Sequence, residues 1–440
     1  MFQHASRSRD KEDFLSPGEI SQWRPFRPPS SNADLAAPLR ERLREAGQWH
    51  ERQLGARRWP MGCVALEITQ RCNLDCTLCY LSPHSQAMRD VPLEEIFRRI
   101  AQIRLHYGAR TGVQVTGGDP TLRKSEELVT IVRRIRELEM LPTLFTNGIR
   151  ATRELLAELA ENGLVDVAFH VDMTQKRRGF RNETELNTLR REYIERARGL
   201  PLRVIFNTTV CDGNLAQVPD IVRFFRAQGG AVSMASFQLQ ADTGRSVLGS
   251  RAPSLTKRVV AGLISAGAGV AIDFDALNVG HSECNSYAIC LEAGGNLYNL
   301  CEDRSFLASM IDVTRDMVMD GENRGSTVAA IAGAIAVRPR LWGGALREFV
   351  RTVWHMRRDL IRARGRVNKL SFFIHNFMDA AQLEPERCRS CVFMVATGEG
   401  PLSMCVHNAV RDAYLFGALP GPRQEADRRW NFRPDALPPS

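Results

Sequence analysis

Three cysteines crowd into one short run, Cys72-Asn73-Leu74-Asp75-Cys76-Thr77-Leu78-Cys79-Tyr80, with the spacing C-x3-C-x2-C. The preceding residues, Val64-Ala65-Leu66-Glu67-Ile68-Thr69, read as a buried strand, and a helical pattern begins near Pro92. The thiols therefore belong to a loop at the C-terminal end of a first strand. Three thiolates converging there can hold three irons of a 4Fe–4S cluster, because cysteine is the usual protein ligand of such clusters. The fourth iron is left without a protein ligand, and an open coordination position separates a catalytic metal site from a structural one. Taken alone, the run also reads as a zinc knuckle or as three unrelated core cysteines.

Downstream, strand and helix patterns alternate to about residue 241. The strands are expected over 63–69, 112–116, 142–146, 165–171, 202–209 and 231–239. The helices between them are expected over 92–106, 124–140, 151–162, 183–198 and 215–228, with apolar residues three and four apart, as in Ile96, Ile100 and Ile103. Repeated β-α alternation means a parallel sheet with crossover helices. In parallel sheets of this type ligands bind outside the C-terminal strand ends. Those ends carry Thr116-Gly117-Gly118-Asp119-Pro120, Thr146-Asn147-Gly148 and Phe169-His170-Val171-Asp172, with Asn207 in the fifth strand. Period-two alternation sends His170 and Asp172 to one side, the barrel interior. A barrel histidine is equally at home as a packing residue, and Asn147-Gly148 as a plain turn. Gln238, Gln240 and Arg245 close the mouth over a polar or anionic substrate, or are ordinary polar loop residues.

The cysteine spacing followed by an aromatic, Tyr80, resembles the signature of the radical S-adenosylmethionine (SAM) superfamily. The resemblance implies an α/β fold, a partial (β/α)6 barrel, with Cys72, Cys76 and Cys79 on a 4Fe–4S cluster. The open iron is then chelated by SAM, which is cleaved to methionine and a 5′-deoxyadenosyl radical that takes a substrate hydrogen. Gly117-Gly118-Asp119 resembles the family's GGE motif, with Asp for Glu, and so implies SAM contacts for Gly117, Gly118 and Asp119; Asn147 and Asn207 join them as cofactor-binding candidates. His170 and Asp172 are the catalytic candidates lining the cavity.

Beyond about residue 275 the β-α rhythm stops and cysteines return: Cys284, Cys290, Cys301, Cys388, Cys391 and Cys405. Cys388-x2-Cys391 lets two thiolates face one metal from a tight turn. A C-terminal auxiliary iron–sulfur domain follows, most simply with a second 4Fe–4S cluster. Four of the six cysteines could hold it while two stay structural, a mononuclear iron or zinc site is an alternative, and His281 and His407 are substitute ligands. Between these groups Leu346, Phe349, Val350, Val353, Trp354, Leu360 and Ile361 mark one helical face, and Arg347, Arg351, Arg357, Arg358, Arg362, Arg364 and Arg366 the other. A basic amphipathic helix of this kind lies on an anionic membrane, or packs on the barrel with its arginines solvated. Phe373-Ile374-His375-Asn376-Phe377-Met378-Asp379-Ala380, the Cys388/Cys391 pair, Gly400 to Asn408 and the Gln238…Thr243-Gly244-Arg245 segment resemble the radical SAM group that includes tetraether-lipid synthases and a pterin methyltransferase.

The 440 residues divide into an N-terminal extension over 1–60, a barrel over 61–275 and the cysteine-containing domain over 276–440. The extension is read as disordered for about its first thirty residues, with one helix over 36–53. A net charge of +9 favours acidic partners such as phosphates or anionic lipid; nucleic acid is not expected. Clustered cysteines and the lack of an apolar leader point to a reducing cytoplasm, with peripheral membrane contact as an option. The function expected is hydrogen abstraction from an unactivated C–H, for carbon–carbon bond formation or methylation of a lipid or small heterocycle. An external electron donor such as flavodoxin or ferredoxin is implied. The rivals are a peptide maturase and a non-enzymatic iron–sulfur sensor or scaffold.

Overall fold

A computed structural model of the chain describes residues 14–25, 63–277, 279–314 and 324–418. The first strand, β1 (Cys63–Thr69), is buried along its whole length. Its side chains alternate: Val64, Leu66 and Ile68 join the main core, while Cys63, Ala65 and Glu67 face an internal cavity. That double burial is the mark of a parallel strand covered on both sides. β2 (Gly112–Gly117), β3 (Leu141–Thr146), β4 (Asp166–His170), β5 (Arg203–Val210) and β6 (Met234–Leu239) follow in sequence order, each parallel to the last. Helices Leu93–Tyr107, Ser125–Glu137, Arg153–Glu161, Asn187–Ala197 and Val218–Arg226 connect them. Their apolar stripes, such as Ile96, Ile100 and Ile103 on the first, cover the outer face of the sheet. All six expected strands and five expected helices are present, with ends moved by a few residues.

The sheet does not stop at six strands. β9 (Asn368–His375) adds to β6 in parallel, and β10 (Phe393–Thr397) adds to β1 in parallel. The arc therefore runs β10-β1-β2-β3-β4-β5-β6-β9, flanked by the antiparallel β11 (Gly400–Ser403), β7 (Asn285–Ala293) and β8 (Asn296–Asn299). The expected boundary at residue 275 thus falls within one continuous sheet, to which the C-terminal segment contributes both flanks. β9 and β10 are not hydrogen-bonded neighbours. Side chains fill the seam between them: Phe373 meets Phe393 edge-on with ring centroids 5.8 Å apart, and His375 meets Phe393 at 4.8 Å.

Ser16-Pro17-Gly18, within the stretch expected to be disordered, instead opens the helix Pro17–Gln22. Ser16 caps it and receives Glu19 in return, with proline at the first turn, where its missing N–H costs nothing. Leu15 and Ile20 pack against Leu383, Leu402 and Val406, and the Leu15 N–H donates to Leu383 O at 2.8 Å. The expected helix over 36–53 lies outside the described residues.

Candidate active site and second thiol cluster

The inward faces of β1 to β6, β9 and β10 enclose a cavity of about 490 Å³, with Cys72, Cys76 and Cys79 at its rim. All three are free thiols. They are close enough for each one's charge to act on another, and burial pushes the thiols of Cys72 and Cys76 up. A soft cationic centre reverses that preference, because coordination deprotonates a thiol outright.

Two backbone crossings set the cysteine loop against the end of β2. The Gly118 N–H donates to Thr69 O and the Asp119 N–H to Arg71 O, both at 2.8 Å, and the Tyr80 hydroxyl donates to Gly117 O at 2.7 Å. A Cβ on Gly117 would stand 1.9 Å from Thr69 O, and one on Gly118 2.0 Å from Arg71 O. Only glycine permits such an approach. Gly117, Gly118 and Asn147 line the cavity, and the Asn147 amide donates to Asn73 Oδ1 at 2.6 Å.

Asp119 does not reach the cavity. Its fully buried carboxylate accepts from the Thr121 N–H and hydroxyl, from the Thr146 hydroxyl, and from the Asn147 N–H at 2.8 Å. It ties the ends of β2 and β3 together behind the lining. Asp172 likewise stands behind His170, beyond the end of β4. His170 lines the cavity, with Nε2 2.6 Å from Asp172 Oδ2; that carboxylate also accepts from the Thr174 hydroxyl and the Thr209 N–H. Burial would raise the Asp172 carboxyl, but the neighbouring imidazole and these hydrogen bonds outweigh it and hold it below the usual range. Asn207 Nδ2 lies 3.4 Å from His170 Nδ1 and donates to Gln238 Oε1 at 3.2 Å, so His170, Asn207 and Gln238 form a polar row across β4, β5 and β6. Asn207 Oδ1 is buried without a partner. Gln240 faces away, donating to Gly249 O.

Arg245 bears on the cysteines rather than on the cavity mouth. The loop after β6 straps the cysteine loop: the Arg245 N–H donates to Cys79 O and Leu81 O, and the Val247 N–H to Thr77 O. Gly244, at φ +59°, crosses so close that a Cβ would sit 2.4 Å from the Tyr80 carbonyl. The guanidinium donates to Leu74 O at 3.1 Å; although burial opposes its charge, the charges of Cys79, Asp75 and Cys72 raise its pKa.

Sequence reasoning missed three cavity residues. Glu67, midway along an apolar-looking strand, is buried and bound by Arg411 Nη1 at 2.7 Å from Oε1; burial would raise its carboxyl, but Arg411 holds it down at about 2. Only the fold brings Arg411 to β1. His375 stacks between Phe373 and Phe377, with ring centroids 4.2 and 5.4 Å away, and its Nδ1 lies 3.0 Å from Asn285 Oδ1. Burial lowers its pKa to about 3. Its place in strand-like Leu370–His375 was the available signal.

Four of the six C-terminal cysteines come together. Burial raises the thiols of Cys284, Cys388 and Cys405, and neighbouring thiol charge adds to it: Cys391 acts on Cys284, Cys391 and Cys284 act on Cys405, and Cys405, Cys391 and Cys284 all act on Cys388. Cys391 packs with Phe373 and Phe393 of the seam, Cys388 and Cys405 with Leu383 and Val406 next to it, and Arg387 Nε donates to Cys284 Sγ at 3.3 Å. Cys290 and Cys301 stand apart, which corrects their expected place among the ligands. Cys290 is buried in the main core on β7, and the Cys301 thiol donates to Asp303 O at 3.4 Å. His281 Nδ1 accepts from the Glu283 N–H, and His407 lies beside Arg411 and Glu67 instead of the thiols. Among the described residues no three His, Cys, Asp or Glu side chains close tightly enough for a single metal ion. A cubane cluster, whose ligands bind separate irons, asks for wider spacing than one ion does.

Residues 66–225 match the sequence model of the radical SAM superfamily. A probable GTP 3′,8-cyclase of Pyrococcus abyssi is 34% identical over 168 residues, 38% of this chain and 53% of that protein. A PqqA peptide cyclase of Bradyrhizobium diazoefficiens is 30% identical over 169 residues, 36% and 42% of the two chains. A 7,8-dihydro-6-hydroxymethylpterin dimethyltransferase of Methanocaldococcus jannaschii is 27% identical over 186 residues, 41% and 36%. The chain thus spans about half or less of the length of these relatives. The solved structure of Streptococcus suis SuiB bound to precursor peptide SuiA aligns over 48% of this chain and 45% of that one, at 15% identity and a TM-score of 0.34, too loosely to bear on the site. The matched segment contains the cysteine loop, Gly117-Gly118 and His170, and members of the superfamily bind a 4Fe–4S cluster and SAM. The match to the radical SAM superfamily therefore lies in residues 66–225, the segment that carries the cysteine loop and the Gly117-Gly118 crossing.

Proposed function

We propose that the protein is an enzyme that reductively cleaves SAM and uses the product to take hydrogen from an unactivated C–H of a lipid or small heterocycle, for carbon–carbon bond formation or methylation. The observation that carries this reading is the meeting of three free thiols with the Gly117-Gly118 crossing at the cavity. Cys72, Cys76 and Cys79 hold the cluster, and Gly117, Gly118 and Asn147 offer backbone and amide groups to SAM. The cluster and SAM together supply the 5′-deoxyadenosyl radical, and the protein's part is orientation and exclusion of stray hydrogen donors. Apolar walls from Ile205, Met234, Phe373 and Phe393 suit a carbon-rich substrate, and the row His170–Asn207–Gln238 fixes its polar end. Asp172 holds the His170 ring in place. Cys284, Cys388, Cys391 and Cys405 hold a second cluster. Flavodoxin or ferredoxin is the expected class of electron donor.

Cys72→Ala, Cys76→Ala or Cys79→Ala is expected to abolish 5′-deoxyadenosine formation by the reduced, reconstituted enzyme, since two thiolates leave too few ligands for an open-iron cluster. Retained product in any one of them, read by chromatography, would overturn the assignment. A peptide substrate is the second reading, favoured by the 30% identity to a peptide cyclase. Hydrogen–deuterium exchange from a labelled peptide into 5′-deoxyadenosine, with none from lipid or heterocycle, would select it.

A further inference from the structure

The segment between β8 and β9 is a helical insertion: Arg304–Thr314, Arg324–Ala336 and Pro339–Arg362. Its longest helix is turned the opposite way from an ordinary surface helix. The residues it buries include two acids, Glu348 and Asp359. Glu348 accepts from the Glu302 N–H and pairs with Arg351; Asp359 accepts from Tyr298 and Asn296. The side it leaves in solvent is apolar: Phe349 is 67% exposed, Trp354 63% and Ile361 80%, with Trp342, Leu346 and Val350 beside them. Val328 on the shorter helix and Val337 in the connection are exposed as well, 65% and 73%. An exposed apolar helix face of this size marks an interaction site.

The charge around it identifies the partner. Residues 324–362 contain eight arginines and two acids, and both acids are the buried ones. At 100° per residue Arg340, Arg347 and Arg358 form a stripe along one side of the apolar arc. Arg357, within the apolar arc, lies over the Trp354 ring at 4.1 Å, a cation stacked on the face of an aromatic anchor. Arg347 is paired with Asp303, but Arg340 and Arg358 leave the rim net positive; a protein surface of mixed charge would leave that charge unmatched, whereas an anionic bilayer offers an apolar interior under a negative sheet of headgroups. No described helix is long and apolar enough to cross a membrane, so the fit is to lying in the interface.

We propose that residues 324–362 form a docking surface for an anionic lipid membrane, with Trp342, Leu346, Phe349 and Trp354 inserted among the acyl chains and the arginine stripe on the lipid phosphates. The proposal does not depend on the substrate assigned above. The full chain is mixed with vesicles of phosphatidylcholine, alone or with phosphatidylglycerol, and pelleted. Binding is expected only to the anionic vesicles, weakening as salt rises, with quenching of tryptophan fluorescence by brominated acyl chains. Arg340→Glu with Arg358→Glu should weaken the partition at least about tenfold, at roughly 1 kcal/mol per lost arginine and more for a reversal. Phe349→Ser with Val353→Ser should remove the quenching, while iron content and 5′-deoxyadenosine formation stay unchanged. Equal binding to both vesicle types, or unaltered binding by either variant, overturns the proposal. So does a dimer that the serine variant dissociates in the absence of any vesicle binding, which would make the face a contact between copies.

Discussion

Asp119 shows how a motif residue can serve a site without entering it. The motif suggested a ligand to SAM; the carboxylate instead collects donors from Thr121, Thr146 and Asn147 behind the cavity wall. A buried carboxylate with every lone pair engaged is a fastener, and its loss leaves several donors unpaired. Asp119→Asn is therefore expected to cost about 1–3 kcal/mol, because the amide nitrogen faces N–H and O–H groups it cannot accept from. Urea unfolding of the cluster-free chain measures it. Unchanged stability together with lost SAM binding would return Asp119 to the ligand set. His170 and Asp172 divide in the same way: the ring meets the cavity, and the acid orients the ring.

At the scale of elements, β9 and β10 matter most. They lengthen the six-strand arc on both flanks without bonding to each other, and the fold gathers Cys284, the Cys388/Cys391 pair and Cys405 from three separate places in the chain. Thiolate ligation couples metal binding to the order of the surrounding loops. The variant with Cys72, Cys76 and Cys79 all changed to alanine is thus expected to keep iron and sulfide after anaerobic reconstitution. Adding Cys388→Ala and Cys391→Ala should remove that remainder; adding Cys290→Ala and Cys301→Ala instead should leave it. Mössbauer spectra and iron counts decide between them, and a remainder of zinc would make the seam a structural site.

The whole molecule is closed by a buried charged contact from the last described helix to β1, Arg411 on Glu67, with His407 beside it. His407 is 4% exposed; burial, then the Arg411 charge, lowers its pKa to about 3. In the unfolded chain it titrates near about 6.5. As pH falls below that value the unfolded state takes up the proton first, so stability is full above it and drains away down to the folded value. The loss reaches about 2 kcal/mol by pH 5 at 1.36 kcal/mol per unit. Glu67 adds a second loss as pH falls from the ordinary carboxylate range through about 2. The urea midpoint of the full chain should fall between pH 7 and pH 5, as measured by circular dichroism, and His407→Leu should flatten that slope; an equal slope in the variant would rule out His407 as the source.

The sequence by itself determined the cysteine loop, the order of six strands and five helices, and the Gly117-Gly118 pair at the end of the second strand. These are local: a spacing, a period of two or of three to four, and a residue without a Cβ are all written within a few positions. It also marked the apolar and arginine faces of the 339–362 helix. Which face would be covered depended on whether the rest of the molecule offered it oil or hydrogen bonds, and Tyr298, Asn296 and the Glu302 N–H drew the acids inward. Tertiary structure alone decided which four of six cysteines meet, that Arg411 neutralises Glu67 344 residues away, and that β9 and β10 flank the barrel. Each of those contacts joins segments far apart in the chain, and a short strand such as Phe393–Thr397 carries no sign of its neighbour until the sheet edge that receives it has formed.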